Sequence, residues 1–83
     1  MKLRYFAWVR ERVGRGEEER DIPPDVGSIA DLVAFLKTQG EEYEAAFENE
    51  RVVRAAIDRI HVKPNASILG AQEIAFFPPM TGG

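Results

Sequence analysis

The sequence contains no cysteine, which excludes disulfide bonds, thiolate metal sites and cysteine nucleophiles. Its one histidine, His61, has no candidate ligands close to it in the sequence, so we predict an ordinary structural or surface residue. The short Gly14-x-Gly16 segment has neither the length nor the following helix of a phosphate-binding loop. We therefore expect this chain to bind no metal and no cofactor.

A long apolar run and a basic cluster are also missing. No stretch approaches the roughly 20 apolar residues of a membrane-spanning helix, and the first residues lack the apolar segment of a secretory signal. The formal net charge of −3 argues against nucleic acid, because such binding depends on Lys and Arg that neutralise phosphates. Together with the lack of disulfides, these features predict a cytoplasmic protein whose partner is neither a nucleic acid nor a membrane.

The composition is that of an ordinary folded protein, with 45% hydrophobic and 30% charged residues. We predict a single domain over residues 1–83, with a thin core, because chains of this size bury only roughly 60% of their surface. The abundant acidic residues, such as Glu17–Glu19, are predicted to be solvated rather than paired for acid–base chemistry.

The clearest predicted element is a helix over 28–39, where Ser28 and Asp31 form a capping-box-like start and apolar residues recur at helical spacing. The remaining patterns predict strands over 2–9, 17–22, 51–58, 60–62 and 73–77, with short helical turns over 10–14 and 41–48. The last strand is apolar on both faces, which is typical of a central strand, so we pair it with the first. The expected fold is α+β, a mixed sheet of four to five strands packed on one main helix.

Four aromatic residues exceed what one thin core can hold. They lie on the predicted first and last strands, and they are Phe6, Trp8, Phe76 and Phe77. Either loops cover the sheet face that carries them, or that face is an apolar patch that docks a protein. In the second case its rim would hold arginines, for which the candidates are Arg4, Arg10 and Arg54.

The ending Pro78–Gly83 adds little to a core. Its ordinary interpretation is a frayed terminus. However, two prolines set its direction and two glycines stand at its end, so we predict a flexible, protruding C-terminal tail over 78–83. Fully extended, it would reach about 20 Å, far enough to enter a partner's active site. Gly82 and Gly83 have no Cβ, so they can pass a narrow channel and leave the last carbonyl open to attack.

Two segments carry a resemblance to a known family. The ending Phe76-Phe77-Pro78-Pro79-Met80-Thr81-Gly82-Gly83, preceded by Ile74-Ala75, resembles the C-terminal signature of the molybdopterin synthase small subunits. The segment Phe6-Ala7-x-Val9-Arg10-Glu11 is similar to that family's first strand and following turn. Length and element order agree along essentially the whole chain. The resemblance implies the ubiquitin-like β-grasp fold, which is compatible with the α+β domain predicted above.

The resemblance also implies a function, that of a sulfur carrier. Gly83 would be adenylated by an ATP-dependent, E1-like activating enzyme and converted to a thiocarboxylate with sulfur from a donor protein. The tail would then enter the large subunit, which holds the catalytic side chains, within a heterotetramer. There the sulfur would pass to a cyclic pyranopterin precursor to build the molybdopterin dithiolene. Gly82 would provide clearance, and the predicted docking residues are Phe6, Trp8, Phe76, Phe77, Pro78, Pro79, Met80 and Thr81.

Other functions share the same fold. A related β-grasp carrier could serve thiamine synthesis or tRNA thiolation, and a ubiquitin-like modifier would use Gly83 as an acyl donor to lysines. A non-catalytic interaction module, in which the two glycines are incidental, is an alternative of another class. The double phenylalanine and double proline favour the synthase subunit.

Overall fold

Five strands form one mixed sheet in the computed structural model, which describes residues 1–79. Their order across the sheet is β2-β1-β5-β3-β4. The strands are β1 (Lys2–Tyr5), β2 (Glu17–Glu19), β3 (Arg54–Ile57), β4 (Ile60–Val62) and β5 (Glu73–Phe77). The predictions for Met80, Thr81, Gly82 and Gly83 lie outside the described residues.

The first and last strands are neighbours, as the apolar patterns predicted. β1 runs parallel to β5, with Leu3 opposite Ile74 and Tyr5 opposite Phe76. On its other side β5 pairs antiparallel with β3. The last strand in the sequence is therefore the middle strand of the sheet.

Three helices pack on one face of this sheet, and they are α1 (Ala7–Val13), α2 (Ile29–Lys37) and α3 (Glu41–Ala46). The predicted main helix is confirmed in α2. Its Ser28 side chain accepts a hydrogen bond of 3.1 Å from the backbone N–H of Asp31, which satisfies one free donor at the helix start.

The first strand is shorter than predicted, and this corrects the assignment over 2–9. β1 ends at Tyr5, and the backbone N–H groups of Val9 and Arg10 donate to the Phe6 carbonyl, which begins α1. Val9 and Val13, four positions apart, are both buried on one side of this helix. The helix ends at Gly14, whose φ of 88° is the left-handed conformation favoured by glycine.

Two other predicted strands are also shortened. The segment predicted over 51–58 begins with a 3-10 helix, Glu50–Val52, and becomes a strand only at Arg54, where pairing with β5 begins. The edge strand predicted over 17–22 ends at Glu19, because its partner β1 begins at Lys2. In both cases the extent of the pairing partner sets the strand length.

The β3–β4 hairpin turns tightly through two residues in the left-handed region, Asp58 (φ 47°) and Arg59 (φ 71°). The Asp58 carboxylate accepts hydrogen bonds from the backbone N–H groups of Gln72 at 3.0 Å and Glu73 at 2.9 Å. The turn therefore fixes the start of β5 as well as the hairpin.

The core lies between the sheet and the helices. Phe76 is at its centre, fully buried, with its ring stacked on Tyr5 at 6.2 Å and edge-on to Phe47 at 5.0 Å. Within residues 1–79, no helix is long and apolar enough to cross a membrane.

Candidate functional site

The sheet face away from the helices carries a shallow concavity, which we call the open face. Because side chains alternate along strands, the residues that are not in the core project to this side. The concavity has a volume of about 390 Å³ and is lined by Arg4, Phe6, Ala56, Arg59, His61, Glu73, Ala75 and Phe77. Its centre is apolar and its margin is charged, which is the usual anatomy of a protein-docking surface.

One side of the open face is built on Phe6, which is 39% exposed at the junction of β1 and α1. The Arg4 guanidinium lies 5.1 Å from the centre of the Phe6 ring, within the range of a cation–π contact. Arg4 also donates a hydrogen bond of 3.3 Å to Glu73 on β5. Arg4 thereby holds the exposed Phe6 ring in place, and the hydrogen bond to Glu73 in turn holds Arg4.

The opposite side is built on Phe77, which packs against His61 of the edge strand β4 with ring centres 4.9 Å apart. No sequence motif includes His61, which we predict to be an ordinary structural or surface residue. The register explains its position, because His61 pairs with Ala56 of β3, and Ala56 pairs with Ala75 of β5. Only the strand pairing brings these residues to one surface.

The four aromatic residues that we predicted to share one sheet face lie in three different places. Phe6 and Phe77 lie on the open face, whereas Phe76 is in the core, since alternation along β5 turns it to the helices. Trp8 lies on α1 rather than on a strand, and its ring packs 4.7 Å from the Arg12 guanidinium. The placement of Phe76 and Trp8 on a common sheet face is therefore corrected.

The predicted arginine rim is also only partly present. Arg4 lines the open face, and Arg54 lies opposite Phe77 in the ladder between β3 and β5. Arg10 instead lines a separate hollow beside the end of α1. Arg59, which the sequence did not single out, lines the open face because the tight hairpin turn carries it there.

The central strand leads directly to the predicted tail. Pro78 and Pro79 follow Phe77 and are half-buried. The backbone N–H of Phe6 donates to the Phe76 carbonyl at 3.0 Å, so the start of α1 and the end of β5 lie at the same end of the sheet. The aromatic residues of the open face and the exit of the chain are thus neighbours.

The titratable groups with shifted pKa values lie away from this surface. The Glu18 carboxylate accepts hydrogen bonds from the hydroxyls of Tyr5 at 2.7 Å and Tyr43 at 2.6 Å, and it pairs with Arg20 at 3.2 Å. Burial raises the pKa of Glu18, but the two hydroxyls and the Arg20 charge outweigh it, and the net shift is downward. Burial and the nearby carboxylate raise the pKa of both tyrosines.

This cluster joins the edge strand β2 to β1 and α3. Its polar groups bond to one another, so we interpret it as structural rather than catalytic. Among residues 1–79, no group of three or more His, Asp or Glu side chains could hold a metal ion. The described part of the chain therefore presents an apolar surface with a charged margin beside the end of the central strand.

Comparison with known proteins extends these observations. A family model described as "ThiS family" matches residues 3–83. The molybdopterin synthase sulfur carrier subunit of Escherichia coli is 31% identical, over all of this chain and 99% of that protein. The protein of the same name from Haemophilus influenzae is 26% identical over the same shares.

Solved structures share the fold. SAMP1 from Haloferax volcanii has a TM-score of 0.71 at 18% identity, covering 100% of this chain and 98% of that one. A candidate molybdopterin converting factor, subunit 1, from Pyrococcus furiosus has a TM-score of 0.70 at 23% identity, covering 95% of each chain. These likenesses bear out the β-grasp fold of the sequence prediction.

Proposed function

The chain belongs to the ThiS family, and on that premise we propose that it is the sulfur carrier subunit of a molybdopterin synthase. One observation carries this proposal, the end-to-end similarity to a curated sulfur carrier subunit of that enzyme. The similarity includes the Gly82-Gly83 ending, which is where a sulfur carrier of this kind does its chemistry.

The reaction that we propose takes place at the Gly83 carboxylate. A carboxylate is a poor electrophile, so an activating enzyme first joins it to AMP from ATP and releases pyrophosphate. A sulfide equivalent from a donor protein then displaces AMP, which leaves with one carboxylate oxygen, and a thiocarboxylate remains. Its sulfur is nucleophilic for the same reason as a thiolate, because it is ionised at neutral pH. A sulfur carrier without cysteine is then chemically reasonable.

The partner that receives the sulfur is proposed to be the synthase large subunit. Phe6 and Phe77 on the open face provide an apolar contact, and Pro78 and Pro79 direct the chain that follows β5 toward that partner. The large subunit is expected to hold the catalytic side chains, because the shifted titratable groups described here form a closed structural cluster. ATP belongs to the activating enzyme and not to this chain.

The product sets the number of deliveries. A dithiolene contains two sulfur atoms, whereas one thiocarboxylate delivers one, so each pterin needs two deliveries from loaded carriers. A heterotetramer of two small and two large subunits is the assembly that we propose for this reaction. Its location is proposed to be the cytoplasm, as the sequence predicts.

Intact mass spectrometry tests the proposal directly. After incubation with an activating enzyme, ATP and a sulfur donor, the mass of the chain should rise by ~16 Da, because one oxygen is replaced by sulfur in the activated acyl group. A variant that lacks Gly82 and Gly83 is the control and should show no shift. Adding the large subunit and the pterin precursor should return the carrier to its original mass as the dithiolene forms.

The same experiment separates the alternatives. A ubiquitin-like modifier would give conjugates through lysine amines, visible as species of higher mass. A non-catalytic interaction module would show no change with a competent activating enzyme. Either result would reject the sulfur-carrier proposal.

A further inference from the structure

We propose that His61 makes docking on the large subunit dependent on pH, because the neutral imidazole can be covered by the partner and the imidazolium cannot. This inference rests on the proposed function, since it concerns the same complex. Its basis is the position of the one histidine of the chain within the open face.

The geometry places His61 under any partner that covers the apolar centre. Its ring packs on Phe77 with 4.9 Å between ring centres, and both residues line the concavity that also holds Phe6. A partner that fills this concavity therefore contacts the imidazole, which lies on the edge strand beside Phe77. Covering a neutral imidazole requires one hydrogen-bond partner, whereas covering an imidazolium requires the loss of a charged group's hydration.

Charged groups of both signs lie on the same side of the sheet as His61. The concavity holds Arg4 of β1, Arg59 of the hairpin turn and Glu73 of β5, whose carboxylate is bound to Arg4 at 3.3 Å. Arg54 of β3 lies opposite Phe77, and Glu17 and Glu19 of β2 pair with the outer side of β1. The cost of covering a charged imidazole, rather than these charges, therefore makes docking depend on its protonation.

The same charges indicate the chemistry of the partner surface. The concavity is lined by Arg4, which is paired with Glu73, and by Arg59, so the matching surface should have an apolar centre with acidic groups opposite the arginines. The centre of that surface meets Phe77 and His61, and its acidic margin meets the arginines. The neutral imidazole is the form that fits the apolar centre.

Binding of the large subunit across pH 5.5–8 tests the inference, by titration calorimetry on the full chain. Histidine changes charge within this interval, and each pH unit changes the ratio of its two forms tenfold, so the wild-type Kd should be roughly five- to tenfold weaker at pH 5.5 than at pH 8. His61→Leu should bind at least as tightly as wild type at pH 8 and lose most of this pH dependence. His61→Lys, a permanent cation, should bind roughly tenfold more weakly than wild type at pH 8.

Controls separate the imidazole from other titrating groups. Thr38→Lys adds the same charge at the exposed end of α2, on the helix side of the sheet, and should bind like wild type. His61→Leu reports the pH dependence that the partner itself contributes. Because the free chain has one histidine, NMR titration of its ring should show a lower midpoint in the complex than in the free chain.

Three results would overturn the inference. Equal pH dependence in wild type and His61→Leu would show that the imidazole stays outside the interface. Tighter wild-type binding at pH 5.5 would show a partner carboxylate paired with the imidazolium. If the wild-type chain does not bind the large subunit at any pH and its mass does not rise by ~16 Da, both the proposed function and this inference fail. If sulfur loading and binding are normal but Kd does not change with pH, this inference alone fails.

Discussion

Phe76 and Phe77 are adjacent in the sequence but lie in opposite environments. Alternation along β5 turns Phe76 into the core and Phe77 onto the open face. Of these two adjacent aromatic residues, one packs in the core and the other lies at the surface, where we propose that it docks the partner. Which residue performs which depends on the register of β5 with β1 and β3.

Truncation of the two residues should separate these tasks. Phe76→Ala leaves a cavity among Tyr5, Phe47 and their neighbours, so it should lower the free energy of unfolding by about 3–5 kcal/mol. Phe77→Ala should lower it by roughly 1 kcal/mol but weaken binding of the large subunit by about tenfold or more. Urea denaturation followed by circular dichroism, and calorimetry of the complex, measure the two effects. Equal losses of stability would place both rings in the core.

Glu18 offers a test of the buried polar cluster. Its side chain is 7% exposed, and as a carboxylate it accepts bonds from Tyr5, Tyr43 and Arg20. Glu18→Gln should lower the free energy of unfolding at pH 7 by about 1.5–3 kcal/mol, the range for hydrogen bonds to a charged group. Glu19→Gln is the matched control, because that neighbouring side chain is 76% exposed, and it should change little.

The effect of Glu18 should also depend on pH with a defined sign. The folded state holds the pKa of Glu18 below its ordinary value, so the unfolded chain takes up a proton first as pH falls. The stabilisation is therefore complete above the ordinary Glu pKa and is lost as pH falls through the lower folded pKa. The difference between wild type and Glu18→Gln should shrink below about pH 4.5. A difference that stays constant down to pH 3 would contradict the ionised carboxylate.

Among the elements, α1 shows the limit of local patterns. Leu3, Tyr5, Ala7 and Val9 alternate, which predicts one strand, yet Val9 and Val13 equally fit one side of a helix. The chain leaves the strand conformation at Ala7, whose φ of 51° is in the left-handed region, directly after the Phe6 N–H donates to the distant Phe76 carbonyl. No window of neighbouring residues contains that information.

The helix α2 shows the opposite case. Its cap at Ser28, its apolar stripe and its end before Gly40 are all encoded within the helix and its flanks, and the structure bears them out. The predicted α+β class and the predicted pairing of the first and last strands are likewise borne out. Three of the predicted strands, in contrast, are shorter in the structure than in the prediction. Local signals predict the existence of an element, whereas the length of a strand is set by the partner it pairs with.

The end of α1 provides a test at this scale. Gly14 has a φ of 88°, and a Cβ there would have open space around it, so the cost of Gly14→Ala is the backbone conformation alone. The free energy of unfolding should fall by roughly 1–2 kcal/mol. Gly27→Ala is a suitable control, since a Cβ at Gly27 meets only the Asp31 carboxylate at 4.0 Å. It should be neutral or slightly stabilising; equal effects at both positions would remove the left-handed requirement at Gly14.

In the molecule as a whole, the open face and the C-terminal motif were not equally predictable from the sequence. The ending is a contiguous motif, so the sequence alone suggested a carrier. The open face gathers residues from four strands and a turn, and Ala56, Arg59, His61 and Ala75 have no motif. Their grouping follows from the ladder β1-β5-β3-β4, which is a property of the completed sheet.

Removal of the ending should leave the body intact. The core described within residues 1–79 is built between Leu3 and Phe76, so deletion of Gly82 and Gly83 should change Tm by less than about 2 °C. Sulfur loading, measured as the gain of ~16 Da, should be abolished because the new terminal carboxylate, on Thr81, is two residues short of the activating site and carries a branched side chain. Differential scanning calorimetry and intact mass cover both outcomes. A large drop in Tm would give the glycines a structural role.

The central position of β5 has a consequence for how the protein is made. The sheet joins the first strand of the chain to the last, so β1 cannot be paired on its inner side until Phe77 has been synthesised. A product of interrupted translation lacks this strand, and it therefore lacks both a closed core and the open face. In the function that we propose, such a fragment could not compete with a loaded carrier for the large subunit. Competence to dock would then report that synthesis has come within a few residues of Gly83.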